Sequence, residues 1–293
     1  MNQPLRLGIA GLGTVGAGVV KIIQSKSELL RMRTGRDIEI VAVSARSAGK
    51  DRGVDLSAYR WHDDPVSLAQ SDDIDVFVEL VGGDEGPAKD ATEAALKSSK
   101  DVVTANKAML AHHGQALAEL AEGNGLTIRY EAAVAGGIPI IKSLTEGLAG
   151  NKIKRVMGVM NGTCNYILTR MQSAGLSYDE VFAEADALGY LEADPNLDVG
   201  GIDAGHKLAI LSAIAYGVQV DFHTARNHDM DTRSAGSAGS RGPRGSRGGY
   251  TPPAARRAPG PHFRRSVIML ARRPDPPPNP PRPACARPPT WLC

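Results

Sequence analysis

Lysine and glutamate are absent from this 293-residue chain after Val220. From Asp221 to Cys293 there are 13 Arg and 4 Asp, a net charge of +9, together with 14 of the 19 Pro. From Met1 to Val220 there are 21 Lys and Arg against 28 Asp and Glu, a net charge of −7. The overall +2 therefore averages two unlike parts, and such an asymmetry marks a boundary. Beyond that boundary an amphipathic period is also missing, and large apolar residues are too few for a core, so disorder is expected. Cysteine is scarce as well: Cys164, Cys285 and Cys293 are the whole set, with no CxxC pair. That excludes a disulfide framework and a cysteine metal site and leaves a reducing, cytoplasmic setting as the expectation. No run reaches eighteen apolar residues, so no membrane-spanning helix is expected. The N-terminus, MNQPLRLGIAGLG, has no basic segment ahead of a long apolar run and does not read as a secretory signal.

What the first 130 residues do contain is an alternation of strand and helix patterns. Leu5–Ala10 is a short apolar run that reads as a buried strand. Gly11, Gly13 and Gly16 follow as GxGxxG, and Val15, Val19, Val20, Ile22 and Ile23 then supply one face of a helix. The spacing suits a dinucleotide: Gly11 for the tight turn, Gly13 for backbone approach to pyrophosphate, and Gly16 for close packing of helix on strand. Thr14 and Val15 lie on the same loop, where a helix N-terminus faces the anion. The second strand, Ile38–Val43, ends in Ser44-Ala45-Arg46 with Lys50 and Arg52 nearby, where an acidic residue would bond the ribose of NAD. Cations there favour NADP, with NAD still possible; a solvated basic loop is the plain alternative. DIDVFVELVGG and DVVTANKAML supply further strands, each ending near glycines or at Asn106-Lys107, followed by a helix over Ala111–Glu122 and a strand in LTIRYEAAV. Such alternation predicts a doubly wound, Rossmann-type parallel sheet. Lys107, at a strand's carboxyl end, is either functional or a surface charge.

From Glu131 to Val220 a smaller α+β region is expected. Gly136-Gly137-Ile138-Pro139 reads as a plain turn, or as a source of free carbonyls for a monovalent cation beside Glu131. A strand over Ile153–Met160 leads to Asn161-Gly162-Thr163 as turn and N-cap, and then to a helix over Asn165–Met171. Cys164 has no nearby run of cations to lower its pKa and reads as a packing residue. Ser177 and Glu180 match a capping box, and Gly189 stands where that helix should end. The acidic stretch Glu192, Asp194, Asp198, Asp203 then runs into Lys207. Asp203 and Lys207 are i and i+4 on one helix face, while His206 points elsewhere, to solvent or a structural contact. Exposed to water, that pair contributes only about 0.3–0.5 kcal/mol.

Six of these segments, GIAGLGTVGAGVV, DVFVELVGG, VVTANKAML, YEAAVAGGIPII, NGTCNYIL and GYLEADPNLDVGGIDAGHKLAIL, resemble homoserine dehydrogenase in content and order over residues 5 to 220. The resemblance implies an oxidoreductase interconverting L-homoserine and L-aspartate 4-semialdehyde with NAD(P), at the branch towards threonine, isoleucine and methionine. It implies that Lys207 is the proton donor and that Lys107 is a second lysine lining the site near substrate and nicotinamide. Glu192, Asp203 and Asp198 would hold the substrate, with Tyr190 on the same loop and Gly189 facing the cofactor. Glu131, Val134, Gly136 and Ile138 match a site for sodium or potassium formed mostly by backbone carbonyls, which weakens the plain-turn reading. A homodimer in the intact form is also implied. The expected organisation is a dinucleotide-binding domain over 1–130, a truncated substrate and dimerisation domain over 131–222, and an Arg/Pro-rich tail over 223–293. The family's closing segment is missing from that tail. Arg without Lys beside Pro, Ala, Gly and Ser is what GC-rich DNA yields out of frame, so a frameshift near residues 222–225 is expected. A basic extension that binds RNA or an acidic partner is the rival, although Tyr250, Phe263 and Trp291 are isolated. The competing function is a truncated, inactive nucleotide-binding homologue.

Overall fold

A computed structural model describes residues 3–191, 195–219, 222 and 268–272 of the chain. They fall into two compact units, one built mainly from residues up to Lys154 and resumed from Ala209, the other from Arg155–Leu208. The expected division at residues 130 and 131 falls inside the first unit.

The first unit carries β1 (Leu5–Ala10), α1 (Thr14–Thr34), β2 (Ile38–Ser44), β3 (Arg60–His62), α2 (Pro65–Ala69), β4 (Val76–Glu79), α3 (Pro87–Lys97), β5 (Asp101–Thr104), α4 (Lys107–Gly123) and β6 (Ile128–Arg129). The strands make one six-stranded sheet in the order β3-β2-β1-β4-β5-β6, every pair parallel. Parallel strands need crossover connections, and the helices between them supply these. Such sheets are covered on both faces, which is why β4, Val-Phe-Val-Glu, is buried at all four positions. Leu7, Ile9, Val20, Ile40, Val43, Val76 and Val78 form the core where α1 meets the central strands. The strand order reverses between β1 and β4, and ligands bind such sheets outside the carboxyl ends at that point.

α1 ends at Gly35 in the left-handed region (φ 73°), whose N–H donates to Arg31 O, as a glycine C-cap should. β3 and α2 were not expected from the sequence, and β6 is shorter than the strand expected in LTIRYEAAV. Only Ile128 and Arg129 pair, and the chain enters helix α5 (Glu131–Val134) at once. Glu131 causes the change: its carboxylate accepts the N–H groups of Ile141 and Lys142, both at 2.9 Å. It thereby caps α6 (Ile140–Lys142), which runs on as a short π-helix over Ser143–Gly147.

The second unit holds β7 (Arg155–Val159), α7 (Gly162–Ala174), α8 (Tyr178–Ala187), α9 (Pro195–Val199) and the start of α10 (Ile202–Tyr216). Cys164, Ile167, Val181 and Ala185 are its buried core. The capping box is complete: Ser177 Oγ accepts the Glu180 N–H, and the Glu180 carboxylate accepts the Ser177 N–H at 2.8 Å. Gly189 is left-handed (φ 71°) just past α8. Of the expected disordered tail, the structure describes Ile268–Arg272 as strand β8, which forms a two-stranded sheet with β7. The rest of that expectation lies outside the described residues.

Candidate active site

In the first unit the glycine loop is shaped by sterics. Gly11 has φ 92°, and a Cβ there would lie 2.2 Å from Leu80 O. At Gly16 a Cβ would lie 1.9 Å from Gly11 O. Both glycines are therefore demanded by packing between the loop, α1 and the residue after β4. Gly13 differs, since among the described residues a Cβ there meets nothing within 4 Å. Gly13 is also the N-cap of α1, makes no side-chain cap bond, and is followed by a first turn with no acidic residue. Exposed Thr14 and Val15 complete a 21-residue helix whose N-terminus is open to an anion.

The loop after β2 presents Arg46 and Lys50 to solvent, whereas Arg52 has another task. Its guanidinium donates to Leu12 O at 3.1 Å, Lys50 O at 2.6 Å and Ser47 O at 2.6 Å, and lies 5.7 Å from the Trp61 ring centroid. Arg52 thus ties the basic loop to the glycine loop. At the ends of β4 and β5, fully buried Glu79 accepts the N–H groups of Val81 and Gly82 and the hydroxyl of Thr104. Thr104 Oγ accepts the Asn106 N–H, and Asn106 Nδ2 donates to Gly83 O at 2.6 Å. Asn106 Oδ1 meanwhile caps α4 through Met109 N. The chain from Glu79 to Asn106 sets the two loops side by side and places half-buried Lys107 at the first position of α4. Glu79 was missed in the sequence, where it is one more strand residue.

Glu131 and Val134 lie in α5, and Gly136 and exposed Ile138 lie in the turn that follows. Glu131 O accepts the Ala135 N–H and Ile138 O the Ile140 N–H, so two of the four carbonyls proposed for a cation already have one hydrogen bond each. Among the described residues there is no cluster of three or more His, Cys, Asp or Glu suited to a metal.

In the second unit, Asp198, Asp203 and Lys207 come together. Asp198 and Asp203 are 3% and 6% exposed. Lys207 Nζ donates to Asp203 Oδ2 at 2.8 Å and to Met160 O at 2.9 Å. The i,i+4 pair is therefore not a solvated decoration, because its carboxylate is out of water. Asn161, expected only as an N-cap, donates from Nδ2 to Asp198 Oδ1 at 2.7 Å and to Asp203 Oδ2 at 3.1 Å. Asp198 Oδ2 is buried without a hydrogen-bond partner among the described residues. Such an atom is costly unless something meets it. Cys164 Sγ donates to Asp198 O, and burial, with Asp198 and Asp203 adding to it, pushes the thiol up to about 11. That agrees with a packing residue and not a nucleophile. His206 is buried, which removes the solvent alternative for it. Gly189 and half-exposed Tyr190 form the loop after α8. Thr163 Oγ1 donates to Tyr190 O at 2.9 Å, and the Tyr166 ring packs edge-on against Tyr190 at 4.9 Å. Glu192 lies outside the described residues.

Two family models match the chain: the homoserine dehydrogenase NAD-binding domain over residues 11–131 and homoserine dehydrogenase over residues 139–242. The second match runs past residues 222–225, where the resemblance was expected to stop. A hyperthermophilic archaeal homoserine dehydrogenase, solved with NADPH, is 30% identical; the similarity covers 77% of this chain and 76% of that one, with a TM-score of 0.66. The chain belongs to the homoserine dehydrogenase family. A homoserine dehydrogenase from Neisseria gonorrhoeae is 46% identical over 220 residues, 75% of this chain and 50% of the relative. A solved homoserine dehydrogenase from Thiobacillus denitrificans is 41% identical with a TM-score of 0.75, covering 79% of this chain and 53% of its own. The chain thus spans about half the length of the curated homoserine dehydrogenases it matches. Among the described residues no helix is long and apolar enough to cross a membrane.

Proposed function

We propose that this chain interconverts L-homoserine and L-aspartate 4-semialdehyde with NADP, or less readily NAD, on the route to threonine, methionine and isoleucine. The setting is the cytoplasm and the intact form a homodimer. The observation that carries this reading is Lys207 on buried Asp203, one amide away from an oxygen of Asp198 that has no partner among the described residues.

Gly13 and the uncapped start of α1 fit a pyrophosphate, since the one glycine of the three with open space beside it lies at a helix N-terminus. Arg46 and Lys50 would meet a ribose phosphate, with Lys107 beside the nicotinamide end. When bound, the nicotinamide exchanges a hydride with the carbonyl carbon. The chain's own residues do the rest. Asp198 Oδ2 and Asp203 receive the substrate ammonium, helped by Glu192, and Tyr190 and Gly189 border that place. Lys207 Nζ gives a proton to the carbonyl oxygen as negative charge grows on it, and takes it back in the oxidation direction. Asp203 and Met160 O accept from Nζ and fix its direction. The carbonyls of Glu131, Val134, Gly136 and Ile138 would take a sodium or potassium ion, which predicts that activity depends on one of them.

Purified chain should consume NADPH when given aspartate 4-semialdehyde. Lys207→Ala should lower kcat by about 10²–10⁴-fold while the Kd for NADPH stays put. NADPH binding without turnover in the unsubstituted chain would mark it as an inactive nucleotide-binding homologue. Near-normal turnover in Lys207→Ala would remove that lysine from proton transfer.

A further inference from the structure

Asn161 follows β7, is 5% exposed, and spends both ends of its amide. Its Oδ1 accepts the Cys164 N–H at 2.8 Å, which caps α7. That contact settles which way the amide faces, because the reverse orientation would set NH2 against N–H and oxygen against two carboxylates. The two hydrogens on Nδ2 are then shared between Asp198 Oδ1 and Asp203 Oδ2. The three residues come from three elements, β7–α7, α9 and α10, and a single nitrogen joins them.

We propose that Asn161 is a positioning residue that holds Asp198 and Asp203 side by side and fixes Asp198 for the substrate ammonium, a role separable from its capping of α7; this rests on the reading given under Proposed function. Two buried carboxylates near one another repel, and without donors one of them takes up a proton. Lysine at position 161 would satisfy them but cancel the charge. An amide donates to both and neutralises neither. Asp198 Oδ2, which has no hydrogen-bond partner among the described residues, is then left to a substrate ammonium. The other titratable side chains buried on the packed elements are Cys164 on α7, whose thiol is held neutral, and His206 on α10.

Asn161→Ser separates the two tasks. A serine oxygen still caps α7 and adds no charge, but its shorter side chain with one hydrogen cannot donate to both carboxylates. In the full chain, Asn161→Ser should raise the KM for homoserine about ten- to hundredfold, more than kcat falls, with the Kd for NADPH unchanged. The thermal midpoint should drop, because two buried carboxylates lose a donor. A KM for homoserine that stays put in an active Asn161→Ser enzyme overturns the proposal, and Asn161 is then a cap only. A kcat that falls as far as the KM rises overturns it as well. If the unsubstituted chain binds NADPH but not homoserine, the reading of the reaction fails and this proposal falls with it, whereas an unchanged KM in the variant overturns the proposal alone.

Discussion

Gly16 is held to glycine by the fold, because a Cβ there would meet Gly11 O at 1.9 Å. Gly13 has no such constraint among the described residues. The two should therefore separate in experiment. Gly16→Ala should lower stability by about 1–3 kcal/mol in denaturant titration, since backbone must shift to make room. Gly13→Ala should leave the unfolding midpoint within about 0.5 kcal/mol of the unsubstituted chain. It should nevertheless weaken NADPH at least about tenfold by fluorescence titration, an effect of about 1.4 kcal/mol. Equal losses of stability in both would show that Gly13 serves the fold and not a ligand. The glycine spacing was plain in the sequence, as was the Asp203–Lys207 pair, because both are local. Asn161 was legible only as a cap. Its bonds to Asp198 and Asp203 cross 37 and 42 residues, distances at which no periodicity reports a contact.

The elements of the sheet were legible where apolar runs are long. β1 was expected at the bounds it has, and β2 within a residue of its own. β3 has three residues, too few to show a pattern. α2 did have a signal, Asp64 ahead of Pro65, and Asp64 does accept the Ser67 N–H. β6 stops early because Glu131 is drawn to the N–H groups of α6, a partner ten residues away that strand propensity ignores. One element pairing makes a pH prediction. Asp75, just before β4, accepts the Arg6 N–H at 2.9 Å and two guanidinium bonds from Arg6 in β1. The side-chain bond from Arg6 holds the Asp75 carboxyl below its usual range. A lowered folded pKa means that the contribution is present above the unfolded value and fades as pH falls through the folded one. Asp75→Asn should thus cost on the order of 1 kcal/mol at pH 7. In urea titrations that difference should shrink below about pH 4. A difference that is flat from pH 7 to pH 3 would mean that charge is not what Asp75 contributes.

At the scale of the whole molecule, the chain matches about half the length of the Neisseria gonorrhoeae homoserine dehydrogenase, and its composition changes abruptly after Val220. A frameshift near residues 222–225 predicts that inserting or deleting one base there, in the resequenced gene, yields a continuation resembling homoserine dehydrogenase. If none of the other frames does so, the basic segment is a true part of the protein. A peptide of residues 223–293 should then bind RNA at low salt, and lose it as salt rises. The glycine loop bears on this question of descent. Gly11 and Gly16 would be kept by any lineage that still had to fold, even one whose chemistry had lapsed. Gly13 alone is free to drift once nothing binds beside it. Among chains of common ancestry, the letter at that single position would date the loss of an activity that the rest of the loop goes on advertising.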